Sequence, residues 1–192
     1  DTDFAKLKDK FLALKSDETS LVKAGISPHA PYTVSRKLFE LITDFAVAEN
    51  LKISIHAAES HLEEDLMISN TGAMADFYRE RGINWSPPKL SSIQYLAEIG
   101  VLQAKPLLAH CIRTNEKDWK LIGESGASIA HCPKSNAKFG HQNAPLEKFF
   151  DNNLRIGLGS DSVASNNACD LLEEARFAIL FARSREEKKH LI

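Results

Sequence analysis

The chain has 192 residues, 43% apolar and 26% charged, with 24 lysines and arginines against 26 aspartates and glutamates. That is the make-up of an ordinary globular domain with one core, and a net charge of −2 gives no electrostatic case for nucleic acid or an anionic membrane surface. No apolar run approaches the roughly 20 residues that cross a bilayer, and no secretory signal pattern is present. Cys111, Cys132 and Cys169 are odd in number and lack CxxC spacing, which reads as reduced thiols of a cytoplasmic protein. The sequence opens at Asp1 inside a helical pattern, so a piece of something longer is expected.

Phe4, Leu7, Phe11 and Leu14 recur at spacings of three and four, predicting an amphipathic helix over 3–16. A short apolar run, Leu21 to Ile26, ends in Ser-Pro-His-Ala-Pro-Tyr, where two prolines fix an ordered loop around His29. Ser35 caps a helix with apolar Leu38, Leu41, Ile42, Phe45 and Val47. Leu51 to Ile55 is the next strand and ends in His56-Ala-Ala-Glu59-Ser60. Residues 61–88 read as a long loop with a short helix near Ala73 to Arg81, a lid or substrate-binding element. Ser91 or Ser92 caps a helix closed by Gly100. Pro106 to Ala109 is a strand ending at His110, and Asn115 to Gly123 is a helix with Trp119, Leu121 and Ile122 inward. Ala127 to Ala130 is a strand ending at His131, followed by Cys-Pro-Lys-Ser-Asn136. Leu146 to Asn152 is a short helix, and Arg155 to Leu158 a buried strand that releases Asp161 into a loop. Leu171 to Arg183 closes the chain as an amphipathic helix, with a charged tail from Arg185 to His190.

About five strand–loop–helix units in succession imply a parallel sheet covered by helices. An open doubly wound sheet is the alternative, but no Gly-rich phosphate loop follows any strand, and polar residues end every strand instead of those at one crevice. A barrel, which gathers all strand ends at one mouth, fits better. Asp161 alone also reads as a turn or capping residue, and a lone histidine on an apolar strand is commonly a satisfied core residue. His56, His110, His131 and Asp161 at equivalent positions argue otherwise, since each would otherwise be a desolvated polar group. Neutral imidazoles with one carboxylate suit Zn²⁺ or Fe²⁺. Glu59 reads either as a helix N-terminal carboxylate, a role Glu63, Glu64 and Asp65 fill equally well, or as a general acid and base beside His56.

The ordered motifs SPHAPYTVS, IHAAES, LLAHC, IAHCPKSNAKFG and IGLGSDSVASNN resemble the second half of the amidohydrolase superfamily. Within it they are similar to the cytosine-deaminase-like aminohydrolases and chlorohydrolases, above all the 5-methylthioadenosine/S-adenosylhomocysteine deaminases, over residues 1 to 183. The resemblance implies a metal-dependent TIM (β/α)8 barrel, present here as units 4 to 8, with one divalent metal, zinc ahead of iron, at the strand ends. It places His56, His110 and Asp161 at the metal, His56 and Asp161 as direct ligands and His110 beside the metal-bound water, which it would polarise. Glu59 would be the proton shuttle to the ring nitrogen, Asp161 the base, and His29 a substrate contact. His131 and Asn136 would be structural or support the site, while His61, His141 and His190 match no functional position and are expected to be solvated. The implied reaction is hydrolytic deamination of a nitrogenous heterocycle such as an adenosine derivative. Triazine-type dechlorination and a non-catalytic barrel remnant are the alternatives.

The pattern is incomplete. The family's first-strand HxH pair, which supplies two metal ligands, is absent from this sequence. The whole of 1–192 therefore reads as the C-terminal part of a barrel domain, without strands 1 to 3 or the flanking β-domain. Such a chain is expected to be inactive alone. Its partners would be a small heterocyclic substrate and either a homo-oligomer mate or a complementing N-terminal segment.

Overall fold

A computed structural model describes residues 2–184; the charged tail and His190 lie outside the described residues. Helix α1 (Thr2–Lys15) precedes β1 (Gly25–Ile26), α2 (Arg36–Ala48) and β2 (Lys52–Ala57). Two helices follow, α3 (His61–Ser69) and α4 (Gly72–Glu80), then α5 (Ser92–Glu98), a 3₁₀ turn, and β3 (Leu107–His110). The chain continues through α6 (Glu116–Ser125), β4 (Ser128–His131), α7 (Pro133–Lys138), α8 (Leu146–Asp151), β5 (Arg155–Leu158), α9 (Val163–Asn166) and α10 (Leu171–Arg183).

All five strands are parallel, and their order across the sheet is their order in sequence. A doubly wound sheet reverses its strand order at a switch point. Here each unit is laid beside the last in one direction, as in an arc of a (β/α)8 barrel. The register carries the argument further: His56 is opposite Ala109, and His131 is opposite Leu158, so the strand ends form one rim.

Side chains alternate across the strands. Ile53, Ile55 and Ala57 of β2, Leu108 of β3 and Ile129 of β4 are buried against Phe39 and Ile42 of α2, Leu96 of α5, Ile122 of α6 and Phe149 of α8. The opposite parity (Lys52, Ser54, His56, Leu107, Ala109) keeps at least partial access to solvent. One face is thus a packed core and the other is the open inner wall of the arc.

Several expectations change. The run from Leu21 forms only a two-residue strand, with Leu21 and Val22 exposed. Val47 and Leu14 also lie outward instead of in their helices' apolar stripes. Strand β5 is not buried: it is an edge, and only Ile156 is partly covered. Residues 61–80 are two helices, not a loop with one. The acidic run 63–65 belongs to the first turns of α3, which Ser60 caps by accepting the Glu63 N–H, and Asn70 ends it in the left-handed conformation. These helices carry a small core of their own, Leu66, Ala75 and Tyr78 packed with Tyr32 and Trp85. The Tyr78 hydroxyl donates to Tyr32 O at 2.7 Å, which ties this layer to the loop after β1.

Candidate functional site

Three imidazoles line up across the ends of β1, β2 and β3. Ring centroids are 5.1 Å apart for His29 and His56, and 5.5 Å for the stacked pair His56 and His110. The loop after β1 supplies more than His29's ring. Its carbonyl accepts both the His56 backbone N–H at 2.9 Å and His56 Nδ1–H at 3.0 Å. With its proton on Nδ1, His56 presents a bare Nε2 lone pair, the tautomer a cation needs. His29 Nδ1 lies 2.8 Å from Thr33 Oγ1, and burial followed by the His56 ring holds its pKa below the ordinary histidine value.

His110 is fully buried, and its Nδ1 is 2.9 Å from Asn136 Oδ1. Asn136 reaches it because Pro133 starts α7 directly after β4; this six-residue helix had no periodic signal in the sequence. On its other side, His110 Nε2 lies 3.7 Å from Glu59 Oε1. The same oxygen is 3.6 Å from His141 Nε2. His141 was expected to be solvated, yet its side chain is 18% exposed and belongs to the site. The turn after α7 brings it back, with its backbone N–H donating to Asn136 O at 2.8 Å. Burial lowers its pKa, with Glu59 acting in the opposite direction. His61 is exposed, as expected.

Asp161 is held by its side chain. Oδ2 accepts the hydroxyls of Ser135 at 2.6 Å and Ser165 at 2.7 Å, and Oδ1 accepts the Ser162 N–H at 2.7 Å. Burial acts to raise its pKa, but these donors and His110 outweigh it and hold the carboxyl below the usual aspartate value. Neither serine stood out in the sequence, although both sit in the two motifs that end β4 and β5. His131 takes no part in this network. Its ring is buried with no partner at either nitrogen among the described residues, and burial brings its pKa down to about 4. Both buried cysteines at the rim are free thiols, Cys132 pushed up to about 12 by burial.

The rim is also where the backbone is least relaxed. Ala58, His110, Cys111 and Asp161 all have positive φ, between 49° and 72°. Each such non-glycine residue costs on the order of 1–3 kcal/mol and persists only where its surroundings over-determine it. The surroundings do so here: Ala57 O accepts the Cys111 N–H at 3.1 Å, and Ala58 O accepts the Arg113 N–H at 2.8 Å.

As donors, His56 Nε2, His110 Nε2 and the Asp161 carboxylate fit a divalent cation in kind. They do not fit it in number. Among the described residues no group of three or more His, Cys, Asp or Glu side chains closes to metal-binding geometry. A tight site would need further donors.

A profile of the amidohydrolase family matches residues 2–191. The 5-methylthioadenosine/S-adenosylhomocysteine deaminase of Pyrococcus abyssi is 32% identical over 170 residues, which cover 88% of this chain and 36% of that one. Among solved structures, an adenosine deaminase from Xanthomonas campestris with bound zinc superimposes with a TM-score of 0.74 at 24% identity, covering 92% of this chain and 37% of that one. Atrazine chlorohydrolase from Arthrobacter aurescens TC1, complexed with zinc, gives 0.79 at 19% identity, covering 97% and 38%. The chain thus spans about a third of the length of the proteins it resembles, and the two structural likenesses speak for the barrel fold alone.

Proposed function

The chain belongs to the amidohydrolase family, and from that premise we propose that it supplies the second half of a metal-dependent barrel that deaminates a nitrogenous heterocycle, an adenosine derivative by preference. The observation that carries this reading is the geometry of Glu59. Its carboxylate stands over the rim between two imidazoles, His110 and His141, on a rim that also carries a fixed anion, Asp161, and a histidine, His56, with a free Nε2. Deamination of an aromatic amine needs a proton delivered to the ring and a proton taken from water. The similarity to the 5-methylthioadenosine/S-adenosylhomocysteine deaminase of Pyrococcus abyssi supports the substrate class.

His56 and Asp161, with His110 beside them, would hold the divalent ion, zinc ahead of iron, and two more donors would come from polypeptide outside these 192 residues. Such an ion supplies Lewis-acid activation of water near neutral pH. The chain's own residues do the rest. Asp161, held ionised, accepts the proton of the attacking water. His110, oriented by Asn136, hydrogen-bonds that water. Glu59 delivers a proton to the ring nitrogen adjacent to the amine-bearing carbon. The C–O bond forms, the proton held by Asp161 passes to the amino group, the C–N bond breaks as ammonia leaves, and the remaining hydroxyl proton returns to Glu59 as the carbonyl forms. Water and the amino heterocycle thus become the oxo heterocycle and ammonia.

In this reading the chain is units 4 to 8 of the barrel, with strands 1 to 3 and a flanking β-domain carried elsewhere, either on the same polypeptide or on a complementing segment or mate. A cytoplasmic setting is supported by its free buried thiols, and no helix among the described residues is long and apolar enough to cross a membrane. The test is metal content by plasma mass spectrometry, with intact mass and product release on the same sample. The reading predicts about one zinc or iron per polypeptide carrying this sequence, at a mass above 21.3 kDa, and release of ammonia but not chloride. Absence of metal from the longer polypeptide, or release of chloride from a halotriazine without ammonia from any adenosine derivative, contradicts it.

A further inference from the structure

A glutamate at the third position of a helix ordinarily reaches back to the amide of its capping residue. Glu63, third in α3 behind the Ser60 cap, reaches further. Its residue is 2% exposed, and its oxygens accept the N–H groups of Ala58 at 2.9 Å and Glu59 at 2.7 Å. Both amides precede the cap, so they are not among the orphan donors of the helix. The Ser92 hydroxyl, from the start of α5, donates to the same carboxylate. Three donors thus converge on its two oxygens, which act as acceptors for all of them. Burial, above all, raises the pKa of this carboxyl above the ordinary glutamate value, with the Ser92 hydroxyl and the two amides acting in the opposite direction.

What the carboxylate grips is the strained part of the turn. Ala58 has φ +53, a conformation its side chain disfavours, and the amides on either side of its α-carbon both turn inward to Glu63. Its carbonyl is tied on the other side by Arg113 N–H. Immediately after this bend the Glu59 side chain leaves the loop towards His110 and His141.

We propose that Glu63 is the positioning residue of Glu59: its buried carboxylate clamps the Ala58–Glu59 peptide in the left-handed bend and so aims the Glu59 carboxylate over the rim. The proposal rests on the reading of Glu59 as the proton carrier. A helix cap alone would not need the two amides that lie before the helix.

Amide hydrogen exchange on this chain, and steady-state deamination by the zinc-loaded polypeptide that carries it, test the clamp in wild type, Glu63→Gln and Ser92→Ala. Glu63→Gln keeps the shape but sets an NH₂ donor against one of the amides. It should speed exchange at Ala58 and Glu59 while the β3 and β4 amides stay slow. It should lower kcat about 100-fold, the effect of a misplacement of about 1 Å, with KM within about twofold. Exchange that stays slow at both amides, kcat within about twofold of wild type, or a rise in KM alone overturns the clamp. Should Glu63→Gln not fold, Ser92→Ala decides: faster exchange at Ala58 with a several-fold lower kcat supports it, and wild-type values for both overturn it. If the wild-type polypeptide deaminates nothing, the functional reading falls, and exchange at the two amides still decides the clamp by itself.

Discussion

Two turns at the rim each deliver a carboxylate, and they hold it in opposite ways. After β5, the side chain of Asp161 is tied down by two hydroxyls and an amide. After β2, it is the backbone of Glu59 that is tied, by Glu63, and its carboxylate faces two imidazole nitrogens at 3.6 and 3.7 Å. A carboxylate with three donors is a fixed anion, suited to hold a cation or take a proton once. A carboxylate on a fixed stem, with its oxygens turned to the cavity, can pick up a proton and deliver it elsewhere. In the proposed reading the same functional group is set to two tasks by what is immobilised around it.

Breaking each turn should therefore fail differently. Asp161→Asn should cost the larger amount, about 10⁴-fold in kcat for the zinc-loaded polypeptide, with its circular dichroism unchanged; activity within tenfold of wild type would remove Asp161 from the mechanism. Glu59→Gln should cost about 10²–10³-fold and keep its metal, which plasma mass spectrometry reads directly. Metal lost in Glu59→Gln would blur the division, because Glu59 would then be a ligand.

Both turns stand on the same apolar floor, and that floor sharpens the contrast. Ile55, fully buried directly before His56, should cost about 2–5 kcal/mol on replacement by alanine, read from urea unfolding. The exposed Leu172 should cost less than about 0.5 kcal/mol by the same measurement.

A pH-dependent effect concerns His131, which sits between the two turns in strand order. The unfolded chain takes up a proton near the ordinary histidine value of 6.5, whereas the buried ring resists it until about 4. Stability from this residue is therefore fully present above about pH 6.5 and lost progressively as the pH falls towards about 4. Urea midpoints measured across that window should slope downward with falling pH, and His131→Phe should flatten the slope. An unchanged slope would assign the acid sensitivity to other groups.

The strand ends were legible because a polar residue after a short apolar run is costly unless it is used, and His56, His110 and Asp161 each have that setting. The arc was legible from the succession of apolar runs and helices. What eluded the sequence is non-local. His141 reaches Glu59 only because a turn after α7 folds back over the rim, and nothing in residues 139–145 has a periodicity that announces it. Glu63 read as one of three interchangeable acids for the helix dipole, and its burial with Ser92 and the Ala58 and Glu59 amides separates it from Glu64 and Asp65. Strand β5 read as buried from its apolar residues, but burial of an edge depends on a neighbour that no local pattern specifies.

The most direct test of the account is ammonia release from a 5′-substituted adenosine by the zinc-loaded polypeptide that carries this sequence. The account predicts one ammonia per substrate consumed, dependent on the metal. A folded, zinc-loaded polypeptide that releases none from a panel of adenosine derivatives would contradict it.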